Sequence, residues 1–235
     1  LSDRPYSPDQ APTPVRTRDR LARLVPRPRA RRLAQLYLGL ALYGLSGALL
    51  VRAELGAMPW DVLHQGLALR TGLSIGTWSV IVGAALMLLW IPLRQRPGLG
   101  TLSNVVVVGT TVDLFLWLLP SPGPLALRVA TLLLGVLVCA VATGCYIGAR
   151  LGPGPRDGLM TGLAERGWSV RLARTVIEVV VVITGTLLGG TLGVGTIVYA
   201  LAIGPLAQVF LPMMRVPDER PAIQSPPHRW PGRHQ

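Results

Sequence analysis

Four carboxylates in or beside the apolar stretches of this chain are candidates for chemistry: Asp61, Asp113, Asp157 and Glu178. A carboxylate inside a bilayer is costly, so its default roles are to bind a cation or substrate, to carry a proton, or to pair with a neighbour. Two of the four are set by one motif that is written twice. Leu55-Gly56-Ala57-Met58-Pro59-Trp60-Asp61 returns ninety-six residues later as Leu151-Gly152-Pro153-Gly154-Pro155-Arg156-Asp157. The match runs on through Arg70 and Arg166, giving L-G-x-x-P-x-D-x-L-x-x-G-L-A-x-R in both copies.

The residue types in this motif describe the start of a short helix. Gly56 and Gly152 permit a tight turn, and Pro59 and Pro155 suit the first helical position, where no N–H is needed. Asp61 and Asp157 then fall in the first turn. A helix start leaves backbone N–H groups unpaired and presents partial positive charge. Two such ends approached from opposite sides would frame a central polar site for a substrate or ion. The plainer role of each aspartate is a cap for its own helix, with Arg70 and Arg166 complementing the far end. Gly66 and Gly162 mark close packing of the short helices. Trp60 has no aromatic counterpart, because Arg156 stands in its place.

Asp113 and Glu178 are the candidates for coupling a proton or cation. Their plainer roles are a hydrogen-bonded carboxyl and, for Glu178, a pair with Arg174 one turn earlier. Asn104 and Gln208 are expected to bond between helices. His64 reads as a polar-face residue beside an interface. Cys139 and Cys145 sit six residues apart on one span, too far apart to bridge, and read as small buried hydrophobes. Phosphate loops, nucleophile elbows, paired metal histidines and Cys-x-x-Cys are all absent from the sequence. No enzyme activity, cofactor or metal is expected.

The elements that must hold these residues follow from composition. Half of the 235 residues are hydrophobic and 14% are charged, with mean hydropathy +0.47. That is the composition of a polytopic membrane protein, so the lipid bilayer is the first partner. Spans are expected over 33–53, 75–93, 100–119, 125–149, 172–189 and 195–214. After the first and fourth come short helices, 59–70 and 155–166, which fall below the roughly 30 Å of a hydrocarbon core. Residues 1–32 and 215–235, rich in Arg and Pro, read as disordered tails. The fold class is therefore all-α, with six transmembrane helices in two membrane repeats, 33–120 and 125–214.

All 23 basic residues are Arg, and the net charge is +12. Their clustering at span ends and in the tails follows the positive-inside pattern rather than a nucleic-acid footprint. With six spans, both termini are cytoplasmic and twenty arginines lie inside, with Arg52, Arg70 and Arg128 outside. Trp60, Trp78 and Trp117 would then line the outer interface, and Trp90 and Trp168 the inner one. Three spans per repeat is an odd number, so the repeats are expected to insert in opposite directions.

At Leu-Gly-Ala-Met-Pro-Trp-Asp, followed by Gly-Leu and by Gly-Thr at a span start, the chain resembles the bacterial YczE-like membrane proteins, grouped with the YitT and YyaS proteins. The likeness covers about 33–214. It implies an integral protein of the bacterial cytoplasmic membrane and carries no binding residues with it.

Inverted repeats with paired short helices are the recurring plan of secondary transporters. The leading expectation is thus a small transporter or permease for a small-molecule or ion substrate, with a homodimer as one assembly. Two other functions fit the same pattern. One is a non-transporting membrane partner or regulator of another membrane protein. The other is a substrate-capture subunit of an ATP-driven importer.

Overall fold

The computed structural model describes residue 25 and residues 27–217. Among them are eight helices and no strand: α1 (Arg29–Ala53), α2 (Pro59–Thr71), α3 (Ile75–Leu93), α4 (Leu99–Leu118), α5 (Leu125–Gly148), α6 (Pro155–Ala164), α7 (Val170–Leu187) and α8 (Val194–Met214). Five of them, α1, α3, α4, α5 and α8, are long and apolar enough to cross a membrane. The sixth expected span, α7, has 18 residues and is not among these five, because it carries three charged residues, Arg171, Arg174 and Glu178, in its first half. The short helices α2 and α6 have 13 and 10 residues, or roughly 20 and 15 Å of rise.

Most of the two terminal tails lies outside the described residues. Where they are described, their inner ends are structured. Pro28 stands at the N-cap of α1, which opens at Arg29, so 29–32 belong to the helix and not to a tail. Val216 is fully buried and its N–H bonds the Gly148 carbonyl at 3.0 Å.

The centre is the pair α1 and α5, which run antiparallel. Small residues let them approach: a Cβ on Gly39 would lie 2.7 Å from the Tyr146 nitrogen, and one on Gly135 3.0 Å from Leu50. Ser46 Oγ also donates to the Gly135 carbonyl at 2.8 Å, the small-residue packing that membrane helices favour. Two arginines fasten the ends. Arg128, at the start of α5, donates to the Ala53 and Glu54 carbonyls at the end of α1, at 2.9 and 2.7 Å. Arg32, at the start of α1, donates to the Ala149 carbonyl at the end of α5, at 2.9 Å. Each guanidinium satisfies carbonyls that a helix end leaves orphaned. Arg32 and Arg128 are themselves ninety-six residues apart, the spacing of the motif.

Around that centre, α4 packs on α1 and α8 on α5. The short helices cross over: α2 packs chiefly on α7, and α6 chiefly on α3. Close contact at both crossings rests on glycine, filled in opposite senses. At one crossing the Trp90 indole of α3 covers Gly158 of α6, with no room for a Cβ, and its Nε1 donates to the Pro155 carbonyl at 3.0 Å. At the other, Gly185 of α7 admits the backbone of Val62 and Leu63 of α2, 2.5 Å from its Cβ position. Trp60 and Trp90 are accordingly buried inside the protein, 6% and 2% exposed, and do not form the interfacial belt expected of them. Trp117 and Trp168 are exposed, as are large apolar side chains along the outer faces, such as Leu88, Leu187 and Leu201. That is the surface a lipid-facing helix presents.

Candidate functional site

Each motif is built against the opposite half of the chain. Gly56 and Gly152 take φ values of 117° and 124°, a region that a Cβ disfavours. A Cβ would also strike the opposing helix start, at Thr196 Oγ1 for Gly56 (2.7 Å) and at Thr101 Oγ1 for Gly152 (2.9 Å). The carbonyl just before each glycine accepts a bond from that helix: Gly195 N–H to Leu55 O at 2.6 Å, and Gly100 N–H to Leu151 O at 2.8 Å. The Gly-Thr pairs that begin α4 and α8 are thus the docking points for the two motifs.

The arginines that close the motifs also cross over. Arg70 Nε donates to the Leu188 carbonyl at the end of α7, at 3.2 Å, and Arg166 donates to the Pro92 carbonyl at the end of α3. Arg70 also stands in the last turn of its own short helix, as the sequence reading has it, and the bonds to α7 and α3 are additional to that place. The longer reach follows from the crossed packing, which lays each short helix over another helix's orphaned carbonyls. Gly66 and Gly162 sit at those crossings: their Cβ positions lie 2.5 Å from the Gly185 carbonyl and 3.2 Å from Leu93 Cβ.

The starts of α2 and α6 touch through Trp60 and Arg156. Pro59 and Pro155 open the two helices, with Asp61 and Asp157 in the first turns. Arg156 lies over the Trp60 ring, its Cζ 4.9 Å from the centroid. Such a contact contributes about 0.5–2 kcal/mol, more as water is excluded. Asp157 accepts a bond from Tyr146 Oη of α5 at 2.8 Å, and the Tyr146 ring meets Tyr43 of α1 edge-on, with centroids 6.0 Å apart. Arg156 and Asp157 line a cavity of about 50 Å³ together with Tyr43, Ser79, Asn104 and Tyr146. A water needs roughly 10–15 Å³ on this measure, so the space suits a few waters or a small solute. Asn104, expected to bond between helices, lines this cavity instead.

The two motif aspartates differ in surroundings. Asp157 is partly exposed to the cavity, whereas Asp61 is 4% exposed. Asp61 Oδ1 lies 3.3 Å from Nδ1 of His64, which is fully buried. His64 is therefore not on a polar outer face. Its place one helical turn after Asp61 was the available signal for this pair. Tyr43 and Tyr146 carried no signal, since neither stands in the repeated motif.

The other two carboxylates lie outside the cavity. Asp113 accepts from Ser74 Oγ at 2.5 Å and from the Gly76 N–H at 2.8 Å, so it closes the N-terminal end of α3 from α4. Glu178 pairs with Arg174 Nε at 2.9 Å and borders an apolar groove between α7 and α8. Cys139 and Cys145 are both free and buried. Among the described residues no three metal-ligating side chains gather.

Comparison with known proteins places this architecture in a family. The model for a family of unknown function, DUF6198, matches residues 30–212. An uncharacterized protein of Haemophilus influenzae is 40% identical over 177 residues, covering 75% of this chain and 81% of the relative. The uncharacterized membrane protein YczE of Bacillus subtilis is 33% identical over 179 residues, covering 75% and 83%. YyaS of Bacillus subtilis is 25% identical over 184 residues, covering 75% and 90%. No solved structure matches. The chain belongs to the DUF6198 family and is a YczE-like helical membrane protein.

Proposed function

We propose that this protein is a small secondary transporter built as an inverted repeat of three spans per half, with the cavity at Arg156 and Asp157 as its solute site. The observation that carries this reading is the cavity itself. A guanidinium and a carboxylate from the start of one half-helix face a space between both halves, and Trp60 of the other half-helix packs on that guanidinium from outside the cavity lining. A helix start aimed at a midplane cavity is where transporters of this plan hold their solutes.

Three observations support the inversion. The sequence-equivalent helices α1 and α5 run antiparallel, tied by the sequence-equivalent Arg32 and Arg128. The equivalent bonds Gly195–Leu55 and Gly100–Leu151 link the halves reciprocally. Arg70 and Arg166 repeat the pattern at the other ends of the short helices. In this reading α7 is the sixth span, about 27 Å long, with Arg171 and Arg174 reaching toward the cytoplasmic headgroups. Both termini are cytoplasmic, the membrane is the bacterial cytoplasmic membrane, and α2 and α6 enter from opposite faces. At about 50 Å³ the cavity has room for a small polar solute, and rocking of one half against the other would change which side it opens to.

Labelling tests the reading. In a background lacking Cys139 and Cys145, single cysteines replace Leu73 and Trp168, which are 46% and 47% exposed just beyond α2 and α6. With an impermeant thiol reagent, Leu73→Cys reacts from the periplasmic side and Trp168→Cys from the cytoplasmic side. Reaction of both from one side would make the halves parallel and sink the transporter plan.

A further inference from the structure

We propose that Asp61 and His64 form a buried proton-binding pair, and that the proton they take up and release is the coupling ion of the transport cycle. The coupling role rests on the transporter reading above; the proton site itself does not.

The pair lies within the protein, with Asp61 4% exposed and His64 fully buried. One hydrogen bond joins Oδ1 to Nδ1 at 3.3 Å. The remaining atoms, Asp61 Oδ2 and His64 Nε2, are buried without any hydrogen-bond partner among the described residues. Buried polar atoms are nearly always satisfied, and an orphan calls for a role. Two orphans on one hydrogen-bonded carboxylate–imidazole pair share a role. The pair holds one proton in the bond between them and has a free position for a second, on Oδ2 or Nε2. Apolar atoms close in beside Oδ2: the Cβ position of Gly47 lies 3.2 Å from Oδ2, 3.3 Å from Val112 Cγ2 and 3.4 Å from Met58 Cε. A metal ion would need further ligands, and no group of three His, Cys, Asp or Glu gathers among the described residues. A proton needs only the pair.

The charged and titratable groups around the pair come from four helices. On α1, Tyr43 interacts electrostatically with Asp61. On α5, Cys139 does the same. On α6, Arg156 acts on His64 and Asp157 lies beyond it at the cavity. On α7, which packs on α2, the ionisable residues are Arg171 and the Arg174–Glu178 pair. The α3 helix has no ionisable residue, and Asp113 of α4 is held by Ser74 and Gly76. On α2 itself Arg70 stands at the far end. The group that would register a second proton most directly is Arg156, because it rests on Trp60, the residue next to Asp61. Adding positive charge to the pair repels that guanidinium; removing it draws the guanidinium in. A proton at Asp61–His64 and a solute at Arg156 are thereby linked through one side chain.

The sequence makes this testable in the full chain. There are three histidines, and the other two are His228 and His234. Histidine-selective 15N labelling of the protein in lipid nanodiscs gives a small set of signals, and loss of one in His64→Gln assigns it. Burial pushes the His64 imidazole below its ordinary range, opposed by the bond to Asp61, so over pH 4–8 the His64 signals of the wild-type protein should move between the imidazolium at the acid end and a neutral tautomer. In Asp61→Asn the midpoint should shift by at least one pH unit. Gly47→Ala, which sets a methyl beside Oδ2, should shift it as well. A His64 locked in one tautomer across pH 4–8 in the wild-type protein would overturn the proposal, whatever the variants do. The labelling at Leu73 and Trp168 is independent. A titrating His64 with same-side labelling leaves the proton site standing and removes the transporter; a locked His64 with opposite-side labelling does the reverse.

Discussion

Arg156 rests on the face of Trp60, its own counterpart in the duplicated motif, with 4.9 Å between Cζ and the ring centroid. The substitution that breaks the repeat is therefore also the contact that joins the two copies. A second tryptophan would offer ring against ring, whereas a guanidinium offers a charge that stays beside the cavity while its plane covers the indole. Arg156→Ala and Trp60→Leu should each lower stability, and the double variant should cost less than the sum. The expected coupling is about 0.5–2 kcal/mol, read from denaturant unfolding in mixed micelles. Arg156→Lys should retain charge but lose part of the coupling. Strict additivity would show that the contact contributes nothing.

The two short-helix crossings predict opposite responses to the same kind of change. Gly158→Ala drives a methyl into the Trp90 indole, and overpacking of this sort costs about 1–3 kcal/mol. The obstacle is a side chain, so Trp90→Leu should relieve it, and the pair of changes should be milder than their sum by at least about 0.5 kcal/mol. Gly185→Ala meets the Leu63 backbone nitrogen at 2.5 Å. Truncating Leu63 does not move that atom, so Leu63→Ala should give no relief. Equal rescue at both crossings would contradict this packing.

Much of this arrangement was legible in the sequence, and the reason is the repeat. The turn glycines, the prolines that open the short helices and the span limits from 75 to 148 follow local rules that each copy states by itself. What local rules do not state is which half a short helix packs against. Arg70 and Arg166 illustrate the gap: their spacing from Asp61 and Asp157 fits a helix end, but the carbonyls they reach lie more than seventy residues away. By composition Arg32 belongs to the tail, because arginine and proline recur up to it. Pro28 was the better boundary marker, since proline cannot continue a helix backward yet suits its edge. The ninety-six-residue offset from Arg128 was the stronger signal. His64 has Met160 as its second-copy counterpart, so the repeat gives no sign of its burial against Asp61.

Arg32 and Arg128 do equivalent work in unequal surroundings. Arg32 is fully buried and donates to Ala149 and, at 3.1 Å, to Pro217; Arg128 is partly exposed and also pairs with Glu54 at 3.5 Å. Hydrogen bonds to a charged group contribute about 1.5–3 kcal/mol each when buried, and exposed ion pairs about 0–1. Arg32→Ala should therefore destabilise more than Arg128→Ala, by at least about 1 kcal/mol. It should also release the segment after Met214, which limited proteolysis would detect as earlier cleavage near Val216. Equal losses would mean that burial of Arg32 adds nothing to its bonds.

Asp113 and Asp157 separate stability from solute recognition. Asp113 accepts from Ser74 Oγ and the Gly76 N–H, which is the work of a helix cap. Asp113→Ala should cost about 1 kcal/mol, within the 0.5–2 range for lost caps, while Asp113→Asn keeps an acceptor and should cost less. Neither should alter solute binding per folded molecule, because Asp113 lies outside the cavity. Asp157 faces the cavity and is held by one bond from Tyr146. Asp157→Asn preserves shape and an acceptor for Tyr146 Oη, so the fold should stand, yet it removes the charge that faces the solute opposite Arg156. A thermal-shift screen of small polar and charged solutes against the wild-type protein identifies a ligand. Asp157→Asn should then abolish that shift and Asp113→Asn should leave it intact. If instead Asp113→Asn abolished it and Asp157→Asn did not, the solute would lie at the α3–α4 contact, and the cavity at Arg156 and Asp157 would lose its role.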